Sequence, residues 1–318
     1  MNVPGFHSTL AKSIEQLIAL RRLSGTDYLS QARLLSYFDC YVATRPGITR
    51  PTSELIEDYQ KTLVGLAPRS RSNRMCVVQQ LCEHIARNDP MAFVPPPMRT
   101  HTSRATFKPY IYHKDEIVAL LRAASELSGV LRAATYQTLI GLLYSTGLRI
   151  GEAMALNLAD CFDDRRLWVA QGKFRKSRWV PVTCSTHQAL MRYVDQRRPM
   201  APNASDAPLF LNERRRRLQH CIVAATFRRL LHQCNIAGLD QRPRLHDLRH
   251  TFACHRLLAW YEEGVHINAC LPALATYMGH VNISSTQVYL QPTTSLLGQV
   301  SDRFHPHYQH HLTPGDHQ

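Results

Sequence analysis

Apolar residues recur at helical spacing along most of the chain. Between residues 8 and 23 they are Leu10, Ile14, Leu17, Ile18 and Leu20, the three-to-four-residue period of a helix with one buried face. Gly25 stops that helix, and Thr26 or Asp27 is placed to cap the next. The second carries Leu29, Leu34, Leu35, Phe38, Tyr41 and Val42 before Pro46-Gly47 breaks the chain. A third begins near Thr52 and Ser53 with Leu55, Ile56, Tyr59 and Leu63. A fourth runs over residues 70–86 with Met75, Val78, Leu81, Cys82 and Ile85. Residues 1–92 therefore read as a small helical bundle.

The pattern changes at Phe93. Pro95, Pro96 and Pro97 preclude a helix and favour an extended run, and the stretch behind them is basic and polar. Residues 93–110 are read as a linker. Helices resume at Asp115 with Ile117, Val118, Leu120 and Leu121, and a long one spans 131–145 until Thr146-Gly147 ends it. Residues 167–170 and 179–182 read as two short strands, joined by a turn dense in cations, Lys173, Arg175, Lys176 and Arg178. Further helices are expected over 186–196, over 220–234 and after His246, with the apolar piece Leu209-Phe210-Leu211 and the run Glu213 to Arg217 between the first two. The expected fold is mainly α, an N-terminal helical bundle followed by an α-rich lobe with a small antiparallel β-sheet over 111–304. No internal repeat is visible.

Composition narrows the partner. Lys plus Arg number 38 against 24 Asp plus Glu, a formal charge of +14 over 318 residues. That surplus favours a polyanion, of which nucleic acid is the commonest soluble example. No apolar run approaches the roughly 20 residues that span a bilayer, and the first ten residues lack the basic start and apolar run of a signal peptide. No membrane partner and a cytoplasmic, DNA-associated, prokaryotic setting are the expectation. The nine cysteines are Cys40, Cys76, Cys82, Cys161, Cys184, Cys221, Cys234, Cys254 and Cys270. Their odd count, without a Cys-x-x-Cys pair, fits free buried thiols in a reducing compartment and no zinc site. His305, His307, His310, His311 and His317 make residues 305–318 a His-rich polar tail.

Four pieces of sequence then stand out in order. Arg149 lies in Ser145-Thr146-Gly147-Leu148-Arg149-Ile150-Gly151-Glu152. Lys173 follows Gly172 ahead of Trp179-Val180-Pro181-Val182. His246 and Arg249 lie in Leu245-His246-Asp247-Leu248-Arg249-His250-Thr251. Last come Tyr277-Met278-Gly279-His280 and, nine residues on from His280, Tyr289. The ordered set resembles the tyrosine recombinase (phage integrase) family over residues 110–290, and more loosely before that. The resemblance implies an enzyme with a core-binding bundle over 1–92 and a catalytic domain over 111–304. It implies cleavage and rejoining of double-stranded DNA at paired sites, by a homo-tetramer and without a cofactor.

The residue types suit that chemistry. Tyr289 is the implied nucleophile, because a phosphotyrosine link conserves the bond for rejoining. Arg149 and Arg249 are permanently charged and can each hold two phosphate oxygens. Lys173 is the implied general acid, with Lys176 the alternative. His246 and His280 titrate near neutrality, as proton handling requires, and the resemblance makes His246 the partner of the tyrosine. Glu152 and Asp247 are read as supports of these groups, while Gly147 and Gly279 serve the backbone. Contacts to DNA are expected from Arg69, Arg71 and Arg74 at the start of the fourth helix, where free amides already favour phosphate. Arg99 and Arg104 of the linker and Arg175 and Lys176 of the cationic turn extend that set.

No Gly-rich nucleotide loop and no acidic cluster of a two-metal nuclease occur in the sequence. A type IB topoisomerase and a non-catalytic DNA-binding protein on the same scaffold remain alternatives. The bundle begins by about Ser8, so no further domain is expected before it, which leans towards a simple or transposon-borne recombinase. Beyond Tyr289, Leu296, Leu297, Val300 and Phe304 recur at helical spacing. That stripe packs on its own domain or, as the resemblance implies, on the next protomer of a ring.

Overall fold

The computed structural model describes residues 5–97, 109–162, 164–170, 177–201, 204–236 and 243–279. The chain divides into two compact units, Met1–Phe107 and Lys108–Gln318.

The first unit is a bundle of four helices, α1 (Ala11–Leu23), α2 (Leu29–Ala43), α3 (Ser53–Thr62) and α4 (Pro68–Ala86). Ile14, Leu17, Leu35, Phe38, Ile56, Tyr59, Val78 and Leu81 fill its centre. The apolar period predicted these helices, but not all of their ends. The chain entering α1 is held by Asp39 of α2, whose buried carboxylate accepts from the His7 and Ser8 amides at 2.8 and 3.1 Å. Helix α2 is capped by neither Thr26 nor Asp27. Tyr28 stands at its N-cap in the left-handed region, with φ 49°, and the Thr26 hydroxyl instead donates back to the Arg21 carbonyl, closing α1. Thr52 does cap α3, its hydroxyl accepting from the Leu55 amide.

The second unit is built around α6 (Val130–Thr146), flanked by α5 (Lys114–Ser125) and followed by the short α7 (Ile150–Ala155). Three antiparallel strands come next, β1 (Cys161–Phe162), β2 (Arg166–Val169) and β3 (Arg178–Pro181), in that order. Leu167 pairs with Val180 on the buried face, and Trp168 with Trp179 on the other. The sequence predicts two strands. The third, β1, is two residues long, too short to show the alternation that marks a strand. Helices α8 (Cys184–Arg197), α9 (His220–Gln233), α10 (Asp247–Glu262) and α11 (Ile267–Met278) complete the described part. Leu139, Ile140 and Leu143 of α6 meet Leu120, Tyr193, Phe227 and Leu230 in one core.

The cysteines are all free, but most are not buried. Cys82 and Cys254 are buried, whereas Cys40, Cys76, Cys184 and Cys221 are exposed. The expectation of buried thiols is corrected to that extent. Among the described residues no helix is long and apolar enough to cross a membrane.

Gly147 ends α6 in the left-handed region at φ +62°, donating its amide to the Leu143 carbonyl. A Cβ there would run into the Phe252 ring of α10. Gly147→Ala combines left-handed strain of about 1–2 kcal/mol with overpacking of about 1–3 kcal/mol. Urea denaturation of the variant is expected to show a loss of about 2–5 kcal/mol; an unchanged midpoint would mean that the turn relaxes freely.

Candidate active site

The chain leaving α6 turns at Gly147 and buries Leu148, which sets Arg149 at the N-cap of α7 with an extended backbone. Three residues on, Glu152 reaches back. Its Oε2 accepts from the Arg149 amide at 3.0 Å and its Oε1 from Arg149 Nη1 at 2.8 Å. One carboxylate thus caps the helix and aims the guanidinium, the role the Arg-x-x-Glu spacing suits.

Glu152 has a second cation. Arg178, the first residue of β3, donates Nη1 to Oε1 at 3.1 Å and Nη2 to Oε2 at 2.9 Å. Burial pushes the Glu152 carboxyl up, but the hydrogen bonds and charge of Arg178, then those of Arg149, hold it down at about 2. The sequence reading missed Arg178, which looked like one more cation closing a basic turn.

Arg249 enters from α10 and is 2% exposed. It donates Nη1 to the Gly147 carbonyl at 2.5 Å and Nη2 to the Met278 carbonyl at 2.6 Å. Arg149 donates Nη2 to the Gly279 carbonyl at 3.1 Å, and Arg178 donates Nε to the Tyr277 carbonyl at 2.9 Å. Three guanidiniums from three elements therefore hold three consecutive carbonyls, 277, 278 and 279. The last carbonyls of a helix lack intrahelical partners and carry partial negative charge, so cations are favoured there. Gly279, at φ +67°, closes α11.

His246 stands at the N-cap position of α10 without a side-chain capping bond, with His250 one turn later. Their rings meet edge to face, centroids 5.0 Å apart. Burial, then the Arg249 charge, lowers His246 from its ordinary 6.5. Burial, then His246, lowers His250 to about 4. Both are neutral imidazoles near pH 7, and a neutral imidazole can accept a proton. Asp247 is 1% exposed and accepts from the Arg244 amide at 2.8 Å and Nη2 at 3.0 Å, and its charge acts on His246 and His250 against the neighbouring arginines. It fixes the turn into α10 and makes no hydrogen bond to Arg149 or Arg249 among those described. Tyr112 braces the same turn, donating its amide to Thr251 Oγ1 and its hydroxyl to the Arg244 carbonyl.

The structure thus gathers Arg149, Glu152 and Arg249 at Met278 and Gly279, with His246 near enough to Arg249 and Arg149 to feel both charges. Lys173, His280, Tyr289, Arg99, Arg104, Arg175 and Lys176 lie outside the described residues. Arg69, Arg71 and Arg74 open α4 in the other unit, where the Arg74 guanidinium also lies 4.2 Å over the Tyr37 ring. Among the described residues no three His, Cys, Asp or Glu side chains converge as metal ligands would.

A mainly helical unit with a small sheet and this arginine-rich junction has the fold of site-specific recombinases. The crystal structure of the XerH site-specific recombinase bound to palindromic difH substrate aligns with a TM-score of 0.64 at 15% identity, over 96% of this chain and 92% of that one. The Tn1549 transposon integrase in complex with transposon right end DNA aligns with a TM-score of 0.64 at 17% identity, over 93% and 99%. The sequence model of the phage integrase family matches residues 111–295. Among individual relatives, y4rE of Sinorhizobium fredii, a candidate integrase/recombinase, is 35% identical over 94% of this chain and 96% of its own. The tyrosine recombinase XerC of Chromohalobacter salexigens is 30% identical over 79% of each. The chain belongs to the phage integrase family and is a tyrosine-type site-specific recombinase.

Proposed function

We propose that this recombinase cuts and rejoins duplex DNA through a 3′-phosphotyrosine link to Tyr289. The observation that carries the reading is the convergence of Arg149 and Arg249 on adjacent carbonyls, Gly279 and Met278, at the entry to His280. Two guanidiniums 100 residues apart meet where a scissile phosphate needs its charge held.

In this reading the Tyr289 phenol oxygen attacks phosphorus and its proton passes to the neutral His246 imidazole. The bond to the 5′-oxygen breaks, and that oxygen takes a proton from Lys173, or from Lys176 in its place. Arg149, Arg249 and His280 hold the non-bridging oxygens, and charge stabilisation of this kind is usually the largest catalytic contribution. Attack by the freed 5′-hydroxyl of a partner strand reverses these steps and releases Tyr289. No cofactor enters. The four-helix unit, with Arg69, Arg71 and Arg74, grips the DNA backbone together with Arg99, Arg104, Arg175 and Lys176. The assembly is a homo-tetramer on two paired sites, serving integration, transposition or resolution of a mobile element. The DNA-bound XerH and Tn1549 structures of this fold support the choice of partner.

A nicked substrate tests it, because the released fragment diffuses away and traps the covalent complex. Wild type is expected to accumulate a protein–DNA adduct mapping to Tyr289. Tyr289→Phe is expected to form none while binding DNA within a few-fold, since only the nucleophilic oxygen is lost. An adduct in that variant would sink the assignment.

A further inference from the structure

We propose that Arg178 is a positioning residue of the strand-transfer site, acting through Glu152 on Arg149 and through the Tyr277 carbonyl on the run that leads to His280. The proposal rests on the phosphotyrosine reading above.

Its first support is charge. Glu152 aims Arg149 but, alone with it, would form a neutral pair and cancel the field a phosphate should feel. Arg178 adds the second cation to the same carboxylate, at 3.1 and 2.9 Å. The cluster then carries one net positive charge while Arg149 keeps its orienting partner. The side chains of Arg178 and Glu152 are 13% and 6% exposed, so water screens this little.

Its second support is geometry. Arg178 opens β3, which begins five residues after Lys173 in the sequence. Its Nε donates to the Tyr277 carbonyl, while the Tyr277 hydroxyl donates to the Pro181 carbonyl at the far end of β3. Both ends of β3 are thus pinned to Tyr277 near the end of α11. The guanidinium also fills the space over Gly279, where a Cβ would come within 2.7 Å of Nη1 and 2.8 Å of Cζ. One side chain therefore fixes the helix that aims Arg149, the strand next to Lys173 and the peptide before His280. Lysine lacks the planar fork that makes the paired bonds to Glu152 and the third bond to Tyr277. Removing one partner of a buried ion pair costs stability, so Arg178→Met is expected to weaken the fold as well. A folding defect acts equally on every substrate, and a comparison of two substrates therefore separates the two roles.

The experiment is single-turnover cleavage of two nicked substrates, one with an ordinary scissile phosphodiester and one with a methylphosphonate, which lacks the non-bridging negative charge. Arg178→Met is expected to bind DNA within a few-fold and to cleave the phosphodiester about 100-fold more slowly than wild type. On the methylphosphonate the deficit is expected to shrink to below about 10-fold, because there is less charge for an aimed Arg149 to stabilise. Arg178→Lys is expected to recover part of the phosphodiester rate. Equal deficits on both substrates, or no deficit on either, would overturn the proposal and leave Arg178 a fold residue. Where Arg178→Met does not fold, the same ratio is read from Arg178→Lys. Failure of wild type to form the Tyr289 adduct would instead strike the phosphotyrosine reading.

Discussion

Arg249→Ala is expected to lower strand cleavage by two to three orders of magnitude and to soften the catalytic unit at the same time. In the proposed mechanism the catalytic loss follows from removing a fixed donor from developing phosphate charge, worth about 3–4 kcal/mol. The structural loss follows from its two bonds, to the Gly147 and Met278 carbonyls. Each buried carbonyl left without its donor costs about 1–3 kcal/mol, a large share of a domain's 5–15 kcal/mol. Arg249→Lys separates the effects, because it keeps the charge but loses the fork. Its urea midpoint is expected to lie between wild type and Arg249→Ala, while its cleavage stays close to that of Arg249→Ala. Full cleavage by Arg249→Ala would remove this residue from the site.

The second large effect concerns Glu152 and acid. Its carboxyl is held at about 2 in the fold, against an ordinary 4.5. The folded chain therefore prefers the ionised form, and protonation favours unfolding. The stability this supplies is present above about pH 4.5 and is lost as pH falls towards 2, by about 3 kcal/mol. Urea midpoints of wild type are expected to fall across that window more steeply than those of Glu152→Gln, whose amide does not titrate. At pH 7, Glu152→Ala removes the shared anion from Arg149 and Arg178, and breaking such a buried pair costs about 3–5 kcal/mol. Parallel pH curves for wild type and Glu152→Gln would show that the carboxylate contributes nothing to folding.

The halves of this site that were legible in the sequence are those encoded locally. Gly147 announces a helix end, Glu152 three residues past Arg149 announces a cap that faces back, and His246 and Arg249 stand nearly one turn apart. Each relation is fixed by helix geometry alone. Arg178 was not legible because its partners, Glu152 and Tyr277, lie 26 and 99 residues away, and no local period links them. Helix α11 was passed over for a related reason, since Pro272 stands inside it and proline reads as a breaker. The Arg244 partner of Asp247 was likewise not legible, because adjacency in sequence to His246 says nothing about which cation a carboxylate meets.

The grip of Arg178, Arg249 and Arg149 on residues 277, 278 and 279 is written in main-chain oxygen. Every amino acid at Tyr277 or Met278 presents the same carbonyl, so the spelling of those two positions can drift with little consequence for these bonds, whereas Gly279 is held to glycine by its φ and by Arg178. Length here cannot drift. One residue inserted or removed within α11 ahead of Tyr277 would hand each guanidinium its neighbour's oxygen and turn the end of the helix by about 100°. Reading-frame-preserving indels should therefore be far rarer than substitutions here, a bias to be read in a library of functional variants.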